Sequence, residues 1–183
     1  MSKAVLISIR PKWCEKIING DKTIEVRKTR PKIDTPFKCY IYCTLPKYPH
    51  EDFIATNYPR PQFYGGGKVI GEFTCDRIYE FEAKARGGSY YVKNEDQPTT
   101  NFIARQSCLD LKDMHGYLHA QKGYGWHISD LRIYDAPKCL FEFWAERLCR
   151  REPSVFGCGE CCDCDKRPPQ SWCYVEEVRD ERC

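Results

Sequence analysis

The stretch that most constrains this fold is GDKTIEVRKTR, residues 20–30, where the spacing of the apolar side chains changes. A helix precedes it, because Pro11 suits a first turn and Gly20 can adopt the left-handed conformation that ends a helix. The apolar side chains between them recur at three-to-four spacing: Trp13, Cys14, Ile17 and Ile18. Beyond Asp21 the period becomes two, which is typical of a strand. The sequence therefore predicts a helix that turns directly into a strand.

This predicted strand carries opposite charges on one face. Alternation places Lys22, Ile24 and Val26 on one side, and Thr23, Glu25 and Arg27 on the other. Glu25 and Arg27 would lie about 7 Å apart and offer a polar ligand one acceptor and one fixed donor fork. Two interpretations are open at this point: the solvated face of a half-buried sheet, or a recognition site.

The charge of the chain is unevenly distributed, although its net value is only +3 over 183 residues. Residues 1–40 carry ten Lys/Arg against four Asp/Glu, a net charge of +6, whereas the remainder carries nineteen against twenty-two, a net charge of −3. A basic pole of this kind favours a nucleotide or nucleic-acid partner over a membrane. A solvated charged face is nevertheless the commoner explanation of any single cluster of charges. No secretory signal or membrane-length apolar run occurs, which predicts a cytoplasmic protein.

The remaining elements follow from periodicity and from turn residues. Alternation predicts strands at residues 4–9, 37–43, 68–79, 125–135 and 171–178. Helical spacing predicts helices at residues 109–119 and 139–150. Stretches rich in Pro, Gly and polar residues predict loops at 45–67 and 83–107. Gly71, next to Glu72, indicates a bulge or the close approach of another backbone.

Two groups of aromatic and histidine side chains are candidates for binding a base or a metal ion. In the run Gly-Tyr-Gly-Trp-His, a base could stack on Tyr124 or Trp126 beside His127, with packing of Trp126 in the core as the alternative. His115 and His119 have the i, i+4 spacing of metal ligands on a helix. Because no HExxH pattern accompanies them, solvent-facing or hydrogen-bonded histidines explain them better.

The thirteen cysteines are not expected to form a disulfide framework in a reducing compartment. Cys39 and Cys43 alternate with polar residues in a strand and are predicted to lie in the core. A second group clusters near the C-terminal end, where CxxC spacing predicts a structural zinc ion held by Cys149, Cys158, Cys161 and Cys164. The alternative is a loop of unmetallated thiols. No organic cofactor is expected.

Three motifs together resemble the ASCH domain family of the PUA-like superfamily: GDKTIEVR after a helix ending in IING, VIGEF, and GYGWHISDL. The closing RPPQSWCYVEE resembles the end of a bacterial and phage subgroup. The resemblance covers the chain apart from the two long loops and the cysteine-rich insert. It implies an α+β fold in three parts: a PUA-like mixed β-barrel with peripheral helices at residues 1–150, a cysteine-rich insert at 151–167, and a closing strand and tail at 168–183.

The resemblance also implies a cleft that binds RNA, nucleotides or modified bases. On this hypothesis eight residues contact the ligand: Lys22, Thr23, Glu25, Arg27, Glu72, Tyr124, Trp126 and His127. Some PUA-like relatives are acetylcytidine amidohydrolases that use a lysine, a threonine and a glutamate. Lys22 matches the family lysine, but Glu25 stands where the nucleophilic threonine would be, and this disfavours that chemistry.

Three functions therefore remain open. The first is a nucleotide- or RNA-binding module. The second is a small amidohydrolase with Lys22 and Glu25 as catalytic residues, or with Glu72 in place of Glu25 as the base. The third is an adaptor that binds a protein partner through the cysteine cluster and the predicted helix at 140–148.

Overall fold

The computed structural model describes residues 2–45, 53–55, 62–94, 102–119, 122–143 and 168–178. The four predicted zinc ligands, Cys149, Cys158, Cys161 and Cys164, lie outside the described residues. The zinc site therefore stays a prediction from the sequence.

Eleven strands and three α-helices are present in the described residues. In chain order they are β1 Lys3–Ile9, α1 Pro11–Ile18, β2 Ile24–Arg27, β3 Phe37–Cys43, β4 Phe53–Ala55, β5 Gln62–Tyr64, β6 Lys68–Cys75, β7 Ile78–Arg86, β8 Ser89–Asn94, α2 Phe102–Ser107, α3 Leu111–Leu118, β9 Lys122–His127, β10 Ser129–Cys139 and β11 Trp172–Glu176, with a short 3₁₀ helix at Leu140–Phe143 before β11. None of the described helices is long and apolar enough to cross a membrane.

The strands form two main sheets. The first has the order β10-β6-β3-β1-β11, and the second has the order β2-β9-β7-β8, while β4 and β5 form a separate ribbon. Strand β1 runs parallel to β3 and antiparallel to β11, so the last described strand closes one edge beside the first. The α+β class is confirmed, and the described strands form two sheets rather than one closed barrel.

Apolar side chains fill three clusters around these sheets. The main core joins one face of β1, β3 and β6 to α1 and to Trp126 of β9, and it includes Cys39 and Cys43 as predicted. A second cluster packs α2 and α3 on the second sheet, and a third lies under the 3₁₀ helix on the other face of the first sheet. Ile24 and Val26 of β2 belong to the second cluster. Both faces of β2 are therefore covered.

Several predicted boundaries were wrong for identifiable reasons. The predicted loop at 83–107 contains the end of β7, all of β8 and helix α2. Gly87 and Gly88 both have positive φ, as a two-residue hairpin turn requires, and this signal was present in the sequence. The strands predicted at 68–79 and 125–135 each divide into two, and the loop predicted at 45–67 contains the β4–β5 ribbon.

Two glycine predictions hold. Gly20 has a φ of +79° just after α1. A Cβ atom on Gly71 would lie 2.5 Å from the carbonyl oxygen of Arg132, so the neighbouring strand β10 approaches too closely for a side chain.

Candidate functional site

Three charged side chains meet inside the protein where β2 begins, and we call them the buried charge cluster: Lys22, Glu25 and Arg27. Their residues are only 2%, 6% and 7% exposed. Glu25 Oε2 lies 3.2 Å from Lys22 Nζ, and Glu25 Oε1 lies 3.0 Å from Arg27 Nη2. One carboxylate therefore bridges two cations out of contact with bulk water.

The turn after α1 places Lys22 in this cluster. The backbone N–H of Lys22 donates to Lys16 at 3.0 Å, and the N–H of Thr23 donates to the carbonyl of Gln106 at 2.9 Å. Strand β2 begins only at Ile24, so the alternation that was predicted from residue 22 does not extend to Lys22. Its ammonium group lies beside Glu25 rather than on the opposite side with Ile24.

Backbone carbonyls hold both cations of the cluster. Lys22 Nζ donates to the carbonyl of Ser107 at 2.8 Å and lies 5.2 Å from the centre of the Trp13 ring. Arg27 Nη2 donates to the carbonyl of Ser8 at 2.6 Å. Such charge-assisted hydrogen bonds fix the two head groups in place around Glu25.

Arg27 also contacts two hydroxyl groups at the edge of the cluster. Its Nη1 atom donates to Ser171 Oγ at 3.4 Å, just before β11. The second hydroxyl belongs to Tyr117 of α3, which is 41% exposed and close enough to Arg27 to interact with it. Burial raises the pKa of the Tyr117 phenol, and Arg27 and Glu25 act on it in opposite directions. Tyr117 therefore marks the side on which the cluster comes nearest to solvent.

Three buried polar atoms around the cluster have no hydrogen-bond partner in the described part of the chain: Glu25 Oε2, Arg27 Nε and Trp126 Nε1. Glu25 Oε2 does have Lys22 as its ionic partner, but not in hydrogen-bonding geometry. Because buried polar atoms are almost always hydrogen-bonded, each such atom in a native protein requires an explanation. Here the two donors, Arg27 Nε and Trp126 Nε1, lack a partner among the described residues, whereas Glu25 Oε2 is held by Lys22 through charge alone.

The strand next to β2 contributes two aromatic rings to the same face. In the antiparallel pairing of β2 with β9, Glu25 is opposite Trp126 and Arg27 is opposite Tyr124. Trp126 is fully buried and lies 5.9 Å from the ring of Phe37, so it is a core residue on the same face of the sheet as Glu25. Tyr124 is half-buried.

The other predicted site residues have separate partners. The Thr23 hydroxyl donates to Gln106 Oε1. His127 Nδ1 lies 2.6 Å from Asp76 Oδ1, and Glu72 accepts from the Tyr134 hydroxyl at 2.6 Å. The structure does not bring Thr23, His127 or Glu72 into the cluster. No group of three or more His, Cys, Asp or Glu side chains in the described ranges could hold a metal ion.

A groove lies beside the cluster, and we call it the basic groove. It has a volume of about 540 Å³ and is lined by Lys28, Thr29, Arg30, Pro31, Lys32, Ile33, Asp34 and Tyr124. The sequence showed that residues 1–40 are basic but did not identify this groove. It also missed Tyr117, Ser8, Ser107 and Ser171, because contacts made through carbonyls and hydroxyls leave no pattern in a sequence.

The two sheets with their covering helices define a small α+β domain. Crystal structures of ASCH from Zymomonas mobilis have the same fold. The wild-type protein matches with a TM-score of 0.53 at 17% identity, over 97% of this chain and 89% of that one. A single-residue mutant of it, ZmASCH, matches with a TM-score of 0.55 over 96% and 92% of the two chains. This chain therefore has the ASCH-domain fold, as the sequence resemblance implied. No family model and no curated protein matches the sequence.

Proposed function

We propose that this protein binds a nucleotide or RNA, with a base recognised by the buried charge cluster and Trp126. The observation that supports this most directly is the pair of buried donors that lack a hydrogen-bond partner in the described residues, Arg27 Nε and Trp126 Nε1, on the face of the sheet that carries the Glu25 carboxylate. The edges of nucleobases present mixed donors and acceptors, and such a set can hydrogen-bond to them. The ligand approaches from the side of Tyr117, which is the most exposed residue at the cluster.

Binding fits the cluster better than hydrolysis does. Both oxygens of Glu25 face cations, at 3.0 Å and 3.2 Å, so this carboxylate is already engaged by two fixed groups and is not placed to activate a water. The other proposed base, Glu72, accepts from Tyr134 and pairs with Lys38 at 3.6 Å, on the opposite face of the first sheet. The amidohydrolase hypothesis thereby loses one of its two candidate bases.

Tryptophan fluorescence tests the proposal. We expect nucleosides and short RNAs to quench the emission of the wild-type protein. Arg27→Lys keeps the charge but loses the guanidinium fork, and we expect it to weaken binding about tenfold or more, since hydrogen bonds to charged groups contribute about 1.5–3 kcal/mol. Arg77→Lys is the matched control at an exposed arginine. Circular dichroism confirms that both variants are folded.

Two results would overturn the proposal. One is the absence of quenching by every nucleoside and RNA tried, and the other is equal affinity of the wild type and Arg27→Lys. Incubation with acetylcytidine, followed by chromatography, tests the hydrolase alternative separately. We expect no deacetylation above the rate of Lys22→Ala, and a clear excess would reverse our ranking of the two functions.

The zinc ion remains a separate proposal, which rests on cysteine spacing alone. Elemental analysis of the purified protein is the test, and less than about a third of an equivalent of zinc would exclude a structural site. The adaptor hypothesis depends largely on residues 144–164, which lie outside the described residues.

A further inference from the structure

The basic groove begins where the buried charge cluster ends. We propose that this groove binds the sugar–phosphate backbone of a single-stranded nucleic acid whose base occupies the cluster. This inference rests on the proposed function and makes it more specific: the ligand is an oligonucleotide rather than a free nucleoside.

The lining of the groove has the composition of a phosphate site. Lys28, Arg30 and Lys32 supply three cations, against a single acid, Asp34. Lysine and arginine provide most contacts to phosphate oxygens, and these contacts position the nucleic acid without reading its sequence. The volume of about 540 Å³ falls within the range of about 300–1,000 Å³ that is usual for ligand sites.

The groove adjoins the cluster along the chain and across the pairing of β2 with β9. Arg27 is the last residue of β2, and Lys28 is the first residue that lines the groove. Tyr124 joins the two regions, because it is opposite Arg27 in the strand pairing and also lines the groove. A nucleotide whose base reaches the cluster would therefore have its neighbour beside Tyr124, on which a second base can stack.

Strand β11 holds the lining segment in place. Trp172 Nε1 donates to Thr29 Oγ1 at 3.0 Å, and the backbone N–H of Lys32 donates to the Tyr174 hydroxyl at 2.7 Å. Lys28 Nζ lies 5.1 Å from the centre of the Tyr117 ring. These contacts hold the segment in place before a ligand binds, and this lowers the entropic cost of binding.

Flat rings favour a nucleic acid over an acidic peptide as the occupant. Both classes of polyanion would bind the three cations. Only a nucleic acid also uses the Tyr124 ring and the two donors that lack a partner, Arg27 Nε and Trp126 Nε1.

The salt dependence of binding tests the groove. A labelled single-stranded hexanucleotide, as RNA and as DNA, is titrated at 50 mM and 200 mM salt beside a free nucleoside and polyglutamate. Three phosphate contacts on a single strand predict a fall of about 20-fold in oligonucleotide affinity between these concentrations. The RNA and DNA arms identify which nucleic acid is preferred.

Charge removal locates the contacts. We expect the loss of oligonucleotide affinity between 50 mM and 200 mM salt to shrink from about 20-fold to about 7-fold in each of three variants, Lys28→Ala, Arg30→Ala and Lys32→Ala. Each variant removes one phosphate contact. Nucleoside affinity should stay unchanged in all three. Lys93→Ala on β8 and Arg86→Ala at the end of β7 are matched controls on the strands farthest from β2, and they should behave as the wild type does.

The two proposals fail in different ways. If nucleosides bind but the hexanucleotide binds no more tightly and without salt dependence, the groove is excluded and the proposed function stands. If polyglutamate binds as tightly as the hexanucleotide, with the same losses in the three variants, the nucleic-acid assignment is wrong. If Arg27→Lys leaves hexanucleotide affinity unchanged, the proposed base site is wrong, and with it the linked oligonucleotide site.

Discussion

The buried charge cluster and the basic groove are neighbours in the sequence, yet they treat charge in opposite ways. In the cluster, two cations and one carboxylate are at most 7% exposed and hold one another at 3.0–3.2 Å. In the groove, Lys28, Arg30 and Lys32 are exposed to solvent. Lysine and arginine occur in both regions, so it is position relative to the sheet that decides whether a charge is buried and paired or exposed to solvent.

The cause lies in how β2 is covered. Ile24 and Val26 pack under α2 and α3, while Glu25 and Arg27 face the first sheet, and all four residues are buried. The solvated-face interpretation of this strand was therefore wrong. Its apolar and charged side chains alternate as they do in a half-exposed strand, but both faces of the strand are covered. Once the strand ends at Arg27, the chain reaches the surface and the next cations are solvated.

Glu25→Gln should give the largest effect. It leaves Lys22 and Arg27 buried without a counter-charge, and breaking one partner of a buried ion pair costs about 3–5 kcal/mol. Chemical denaturation should show this loss in the free energy of unfolding. A loss below about 1 kcal/mol would mean that the cluster is effectively solvated.

Glu80→Gln is the matched control for Glu25. Glu80 forms an ion pair with Lys122 across β7 and β9, and both side chains are about half exposed. Water screens such a pair, so we expect denaturation curves close to those of the wild type. A large loss at both positions would erase the distinction between buried and exposed pairs.

Local patterns in the sequence predicted much of the fold and part of the candidate site. Strand β3 was predicted with its observed limits, and helix α1 ends before a left-handed Gly20, because periodicity and turn residues act locally. Glu25 and Arg27 share one face as the alternation predicted, whereas Lys22 joins them because it lies in the turn before β2 and not in the strand. His127 and Glu72 do not join them, because His127 contacts Asp76 and Glu72 contacts Tyr134. Both partners are distant in the sequence, so no local pattern could predict these contacts.

Tyr174→Phe should have an intermediate effect, on the groove alone. The change removes the hydroxyl that accepts from the backbone of Lys32, and one neutral hydrogen bond contributes about 0.5–1.5 kcal/mol. We expect a several-fold loss of hexanucleotide affinity, measured by fluorescence anisotropy, with nucleoside affinity unchanged. Tyr90→Phe on β8 is the control. Equal losses for nucleoside and hexanucleotide would show that Tyr174 supports the whole fold rather than the groove.

The smallest expected effect concerns the pair of His127 and Asp76. Like the cations of the groove, these two side chains are accessible to solvent, but like those of the cluster they have a charged partner. Burial alone would raise the pKa of Asp76, but the hydrogen bond and charge of His127 outweigh it and lower that pKa below 3.8. Because the folded-state pKa is the lower one, Asp76 stabilises the protein above pH 3.8, and this contribution disappears as the pH falls through the folded-state value.

Asp76→Asn should therefore be slightly less stable than the wild type at pH 7 and equal to it in strong acid. The difference should stay below about 1 kcal/mol, since the Asp76 side chain is 43% exposed. Denaturation across this pH range, in a double-mutant cycle with His127→Gln, isolates the interaction between the two side chains. His127→Gln should leave nucleoside binding unchanged, because His127 contacts Asp76 rather than the buried charge cluster. Loss of binding in this variant would extend the site along β9 beyond Trp126.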